Sequence, residues 1–175
     1  MKRILSALLA LVCLPFFPAF GAAQGIVGAG AGDVYAPLKL YDGKWEIRTA
    51  GADAVTRVEN HCARTGLFYA CEQSVDGKTA GLLIFLPTAK ANGGGQEYRT
   101  QALSPDASPA GDWNKLTITG ECWVYTWENS EGGKKTLWRN TNTFSGEDRI
   151  HFEIARSDDG TSWKTVKSGD EQRVK

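Results

Sequence analysis

Hydrophobic and polar residues alternate in short runs from residue 44 to the C-terminus. No run keeps the period of an amphipathic helix, whereas a period of two is typical of a strand with one buried face. Turn sequences such as "VDGK" at 75–78, "SEGG" at 130–133 and "SGED" at 145–148 separate the runs. The pattern predicts strands at 44–49, 55–63, 68–75, 80–86, 97–102, 116–128, 135–144, 149–157 and 163–174.

Short strands joined by tight turns favour antiparallel pairing, in either a sandwich or an up-and-down barrel. A barrel has the advantage that its closure leaves no strand edge exposed. We therefore predict an all-β fold, a single antiparallel up-and-down β-barrel of 8–10 strands. Residues 35–43 should form a short helix or turn before the first strand.

The N-terminus has the composition of a secretory signal peptide. Lys2 and Arg3 give a basic start, 4–20 is apolar, and 21–23 offers small residues for cleavage after Ala23. The apolar run is short and contains prolines, which argues against a membrane span, although an N-terminal anchor is the alternative. We expect a signal peptide at 1–23, a mobile leader at 24–34, and a barrel domain at 35–175 in a periplasmic or secreted protein.

Charge restricts the possible partners. Without Lys2 and Arg3, 18 basic residues stand against 20 acidic ones, and no basic cluster is evident. Phosphate backbones require concentrated positive charge, so we expect no nucleic-acid partner. No stretch after the signal peptide is apolar enough to cross a membrane, and we expect a monomer.

Three cysteines remain after signal removal. A hairpin that turns at Gly66-Leu67 places Cys62 opposite Cys71 in a non-hydrogen-bonded pair, close enough for a disulfide. Export favours that bond; two thiols, or a metal or redox site, are the alternatives. His61 lies on the other strand face, and a metal needs three or four converging ligands, so we expect no metal site. Cys122 is expected to be a small buried apolar residue.

The longest predicted hairpin suggests a ligand site. Trp123, Tyr125 and Trp127 alternate and so share one strand face. If Trp127 pairs with Leu137, Tyr125 is opposite Arg139. The next predicted strand, 149–157, then places Ile154 opposite Arg139 on its other side. Because Phe152 and Ile154 should face the core, Arg139 should face it too. The candidate ligand-binding residues are Trp123, Tyr125, Arg139, Thr141 and Phe152.

Two alternatives remain for this hairpin. In the first, these residues form an ordinary core in which the arginine is paired. In the second, a slip of one residue turns the aromatic side chains outward, where they would form an interaction surface. The chain has no Gly-x-Ser-x-Gly, no His-Glu-x-x-His and no Gly-rich phosphate loop, so no catalytic residue or cofactor can be named and we do not expect an enzyme.

Two motifs resemble those of a known family. Gly43-Lys44-Trp45 opens the first predicted strand and Arg173 lies on the last, which resembles the Gly-x-Trp start of lipocalins and other calycins. The stretch 141–175 also resembles uncharacterised exported bacterial proteins of the calycin-like group. The resemblance, over 40–175, implies a barrel closed at one end by Trp45 with Arg173 across it.

Such a barrel is expected to bind a small, partly apolar ligand in its interior. Two alternatives are a small hydrolase or isomerase that uses the same cavity, and an interaction or inhibitor protein that uses outward-facing aromatic residues.

Overall fold

The computed structural model describes residues 33–90, 95–106, 108 and 110–175. The predicted signal peptide at 1–23 and most of the predicted leader at 24–34 lie outside these residues. A short 3₁₀ helix, Pro37–Tyr41, precedes ten strands. The strands are β1 Gly43–Thr49, β2 Val55–Thr65, β3 Phe68–Val75, β4 Lys78–Lys90, β5 Gln96–Leu103, β6 Asn114–Thr119, β7 Cys122–Glu131, β8 Lys134–Phe144, β9 Arg149–Ser157 and β10 Lys164–Val174.

The strands form one closed antiparallel barrel. Each strand pairs with its neighbours in the chain, and β1 closes the barrel by pairing with β10, from Lys44 opposite Val174 to Thr49 opposite Gly169. The predicted all-β, up-and-down barrel and the short turn before its first strand are therefore confirmed. Within the described part of the chain, no helix has the length and apolar composition needed to cross a membrane.

One predicted strand was wrong. The run 116–128 is two strands, β6 and β7, joined by a tight turn at Gly120-Glu121. Gly120 adopts a φ of +57°, a conformation that glycine reaches without steric cost. A single glycine between two strongly β-forming segments gave too weak a turn signal to divide the run.

The 3₁₀ helix closes one end of the barrel. Leu38 is fully buried there, and Tyr35 stacks on Tyr69 with ring centroids 5.9 Å apart. The Tyr35 hydroxyl donates to the Leu67 carbonyl, and the Tyr98 hydroxyl donates to the Val34 carbonyl. The segment is thus fixed both by apolar burial and by hydrogen bonds to the barrel.

Trp45 and Arg173 complete this end as predicted. Trp45 is 2% exposed, and the Arg173 guanidinium lies 4.3 Å from its ring centroid. The guanidinium also donates to the carbonyls of Leu40, Asp42 and Glu147. Arg173 therefore joins the 3₁₀ helix, β1 and the β8–β9 turn.

The predicted disulfide is confirmed. Gly66 and Leu67 form the turn between β2 and β3, and Cys62 pairs with Cys71 at a Cα–Cα distance of 4.0 Å. Cys122 is not part of this bond. It is half-buried on the outer face of β7, so the expectation that it is a buried core residue was wrong.

The β7–β8 register differs from the prediction by one residue. The turn consists of Gly132 and Gly133 alone, both with positive φ, and Trp127 faces Trp138 in place of Leu137. The β8–β9 pairing is shifted by one residue as well, so that Arg139 faces Ala155. The two shifts compensate: the β7 aromatic residues and the alternate residues of β9 still face inward, and only the face assigned to β8 was wrong.

Candidate functional site

The barrel interior contains a cavity of about 280 Å³. It extends from the 3₁₀ helix toward the opposite end of the barrel, where Ala102 is exposed to solvent. None of its lining residues carries a formal charge; they are Tyr41, Leu83, Phe85, Thr100, Gln101, Ala102, Asn114, Tyr125, Trp127 and Asn140.

Aromatic packing forms the floor of the cavity. Tyr41, the last residue of the 3₁₀ helix, stacks on Trp123 with centroids 5.9 Å apart and meets Phe85 edge-on at 6.4 Å. Trp123 in turn packs against Phe144 at 4.6 Å. These contacts hold the Tyr41 ring between the closed end and the cavity.

Two tryptophans lie further from the floor. Trp127 on β7 and Trp138 on β8 are directly opposite each other, and their rings are stacked 5.9 Å apart within 9° of parallel. Cross-strand aromatic pairs stabilise a sheet and hold both rings in place. Trp127 lines the cavity, and Trp138 supports its ring from the neighbouring strand.

The β7–β8 wall carries polar atoms without partners. Among the described residues, four buried side-chain atoms make no hydrogen bond of acceptable geometry: Tyr125 Oη, Trp138 Nε1, Asn140 Oδ1 and Asn142 Oδ1. Buried polar atoms in native proteins are nearly always paired. Tyr125 and Asn140 face each other across the two strands and both line the cavity, but Tyr125 Oη and Asn140 Oδ1 are themselves covered by neighbouring groups. The group beside the Tyr125 hydroxyl is the hydroxyl of Tyr41, and the interaction between them contributes to the pKa shifts of both phenols.

A carboxyl group lies near two of the cavity-lining side chains, Tyr41 and Tyr125, although it does not line the cavity itself. Glu171 on β10 is largely removed from water, and this burial raises the pKa of its side chain to about 7. Its charge contributes to raising the pKa of two cavity-lining residues, Tyr41 and Tyr125, although burial is the larger cause for both phenols. The three side chains therefore form one electrostatically linked group.

The five predicted ligand-binding residues lie in three places. Tyr125 lines the cavity. Trp123 and Phe152 are interior but belong to the packed core, at 1% and 5% exposure. Arg139 and Thr141 lie on the outer face of β8, because their neighbours Asn140 and Asn142 point inward.

The predicted inward position of Arg139 was therefore wrong. Its guanidinium stacks on Trp163 at 4.4 Å from the ring centroid. Arg139 is thus paired with an aromatic ring on the outside of the barrel.

Several residues that line the cavity or lie next to it were missed by sequence reasoning. Asn140 and Trp138 would have been found with the correct register, since they alternate with Arg139. Glu171 lies in the charged stretch "GDEQRVK", where alternation alone cannot identify which acidic residue points inward. Tyr41 lies outside the strands, where no periodicity predicts its position.

The two histidines do not contribute to the cavity. Both are exposed on the outer surface, His61 beside Glu59 at 3.3 Å and His151 beside Asp170 at 2.9 Å. In the described part of the chain, no group of three or more His, Cys, Asp or Glu side chains could hold a metal ion.

Comparison with known proteins gives no identification. No protein-family model matches the sequence, and no curated protein matches it either. The interior cavity and its polar wall are thus the observations from which function can be argued.

Proposed function

We propose that this protein is an exported, calycin-like barrel that binds one small, partly apolar molecule in its interior cavity. The observation that carries the proposal is an interior cavity with mainly aromatic and aliphatic walls and a few uncharged polar side chains. Ligand sites typically combine apolar walls with a few placed polar groups. Thr100, Asn114 and Asn140 would provide the polar contacts, and Trp127 and Phe85 the apolar ones.

The size of the cavity limits the ligand. Its volume of about 280 Å³ lies near the lower end of the range for small-molecule sites. One or two small ring systems, or a short chain with a polar head, would fill it. The packed floor of Tyr41, Trp123 and Phe85 would stop the ligand from passing through the barrel.

Export is part of the proposal. The Cys62–Cys71 disulfide is the kind of bond that persists in oxidising compartments such as the periplasm. Cleavage after Ala23 would release a chain that begins at Gln24, which N-terminal sequencing of the protein from its own host can test. Closure of the barrel leaves no sheet edge for a second copy, so we propose a monomer.

Binding can be tested with N-phenyl-1-naphthylamine, a small apolar dye whose fluorescence rises in apolar surroundings. Leu83 lines the cavity, and Leu82 is its neighbour on the opposite face of β4. Leu83→Trp should fill the cavity and abolish the fluorescence increase. Leu82→Trp makes the same change outside the barrel and should leave it intact.

The result is interpretable only if both variants fold, which circular dichroism and thermal melts will show. Equal dye binding by the two folded variants would show that the dye does not occupy the cavity. No binding by the parent protein would count against the proposed function itself.

Acid–base catalysis is a second candidate, favoured by the raised pKa of Glu171 beside two phenols. Native mass spectrometry of protein from its own periplasm should identify the molecule that it carries. Conversion of that compound by the parent but not by Glu171→Gln would support an enzyme, whereas unchanged recovery would support a binding protein.

The third alternative, an outward aromatic surface, loses its basis because Trp123, Tyr125 and Trp127 face the interior.

A further inference from the structure

We infer that the interior site selects molecules with a protonated amine on an apolar body, and that Glu171 supplies the counter-charge. This inference rests on the proposed binding function and adds the chemical class of the ligand. Three features of the barrel interior carry it: the direction of Glu171, the positions of the surrounding cations, and the hydrogen-bonding character of the cavity wall.

The register of β10 points Glu171 into the barrel. Gly169, two residues earlier on the same face, is so close to the interior Phe152 ring that an added Cβ would lie 2.8 Å from it. Arg173, two residues later, covers the buried Trp45. Glu171 lies between these positions, opposite Ile47 of β1 and Ile150 of β9. Its side chain therefore faces the interior.

No cation of the described chain pairs with this carboxyl group. The Arg173 guanidinium is engaged with Trp45, with three backbone carbonyls, and with Asp148 at 3.5 Å. Lys167 is exposed, and its ammonium lies 5.9 Å from the Phe152 ring centroid.

The other elements around Glu171 bring no positive charge. The inward residues of β1 and β9 near it are not titratable, and the 3₁₀ helix and β7 contribute the phenols Tyr41 and Tyr125. A buried carboxylate without a cation is costly, so this position favours binding of a cation from outside.

The polar groups on the cavity wall are all neutral. They are the side chains of Thr100, Gln101, Asn114 and Asn140 and the phenols of Tyr41 and Tyr125. Each of these residue types carries an oxygen that can accept a hydrogen bond, and an ammonium group has three donors and no acceptor.

Aromatic faces add to this preference. The cavity is lined by four aromatic side chains, those of Tyr41, Phe85, Tyr125 and Trp127. The faces of such rings attract cations. An anionic ligand would meet neither a lysine nor an arginine among the lining residues, and it would be repelled by Glu171.

The inference can be tested with three molecules of similar shape: 2-phenylethylamine, 2-phenylethanol and 3-phenylpropionate. Each competes with N-phenyl-1-naphthylamine for the parent protein at pH 8, where Glu171 is ionised and the amine is protonated. We expect the amine to bind at least about tenfold tighter than the alcohol, and the carboxylate to bind weakest. At pH 5 the preference for the amine should largely disappear, because Glu171 is then protonated.

Glu171→Gln removes the charge with little change in shape. It should abolish the preference for the amine at pH 8 and leave the affinity for the alcohol within about twofold. Glu153→Gln is the matched control, because Glu153 lies exposed on the outer face of β9. This control should bind all three molecules as the parent does.

Failure of the inference differs from failure of the proposed function. If the dye binds and the parent protein prefers the alcohol or the carboxylate, or if Glu171→Gln keeps the full amine preference, the inference is overturned and the binding function stands. If neither the dye nor any of the three molecules binds, both are overturned.

Discussion

At the scale of single residues, Glu171 is the clearest exception to ordinary packing. It lies inside a barrel among Ile47, Ile150 and two phenols, where an apolar residue of similar size would pack without an electrostatic penalty. Retaining a carboxyl group there lowers stability whenever the group is ionised. Such a cost is typical of groups kept for binding or chemistry.

The stability of the barrel should therefore depend on pH through Glu171. Its pKa is about 7 in the folded protein and near the ordinary value of 4.5 in the unfolded chain. Between these values the folded state holds a proton that the unfolded state has released, so this group's contribution to the free energy of unfolding falls as pH rises from about 4.5 to about 7. At pH values below this window Glu171 makes its full contribution to the free energy of unfolding. At pH values above it, roughly 3 kcal/mol of that contribution is lost.

Urea unfolding of the parent and of Glu171→Gln at pH 5 and pH 8 measures this effect. The Gln variant should gain stability relative to the parent between pH 5 and pH 8, because the amide has no charge to bury. The same comparison with Glu153→Gln corrects for the other titrating groups. Parallel pH profiles for the parent and Glu171→Gln would show that Glu171 has no shifted pKa.

Residue-level prediction from the sequence succeeded for two positions. The resemblance to calycins implied Trp45 in the core with Arg173 across it, and alternation along β7 placed Tyr125 inward; both positions are confirmed. Glu171 was not found, because Asp170 and Gln172 beside it are equally polar and the strand pattern there has no hydrophobic contrast. Its spacing of two residues from Arg173, which the resemblance placed across Trp45, was the signal that could have located it, because residues i and i+2 of a strand share one face.

At the scale of elements, turn geometry determined which predictions succeeded. The β2–β3 hairpin was correct in every pair because Gly66-Leu67 allowed one turn position. The β7–β8 hairpin was wrong because "SEGG" contains two adjacent glycines and both occupy the turn. A shift of one residue exchanges the two faces of a strand, which moved Arg139 outward and brought Asn140 into the cavity.

The β2–β3 hairpin also allows a test of its disulfide. The double change Cys62→Ser and Cys71→Ser should lower the free energy of unfolding by about 2–3 kcal/mol, because the unfolded chain regains the freedom that the closed loop removes. Urea unfolding under non-reducing conditions measures the loss. Cys122→Ser is the control for replacing a sulfur atom outside the bond, and it should have the smaller effect.

Thiol counting provides an independent check on the same bond. A protein produced to begin at Gln24, the proposed mature N-terminus, should contain one reactive thiol when it is unfolded but unreduced, that of Cys122. Three reactive thiols would show that Cys62 and Cys71 are reduced in the isolated protein.

At the scale of the whole molecule, the fold was predictable because its signals are repeated. Many short alternating runs separated by tight turns allow few architectures, and the pairing of β1 with β10 selects the closed barrel among them. The closed end was predicted in part, through Trp45 and Arg173. The role of Tyr35, Leu38 and Tyr41 was not, because the 3₁₀ helix Pro37–Tyr41 is too short for a periodic pattern to show which side chains are buried.

This short helix connects the stability of the barrel to its cavity, which leads to a last prediction. Leu38 is fully buried beneath the closed end, and Tyr41 in the same helix forms the cavity floor. Leu38→Ala should lower the free energy of unfolding by about 2–5 kcal/mol, as deletions of buried leucines do. It should also weaken the binding of N-phenyl-1-naphthylamine, because a loosened helix holds Tyr41 less firmly against Trp123 and Phe85.

Leu67→Ala makes the same change at a residue 73% exposed, and it should alter stability by no more than about 0.5 kcal/mol and leave dye binding unchanged. If Leu38→Ala lowers stability but the folded variant binds the dye as the parent does, the floor of the cavity is held by the barrel alone and the helix serves only to close its end.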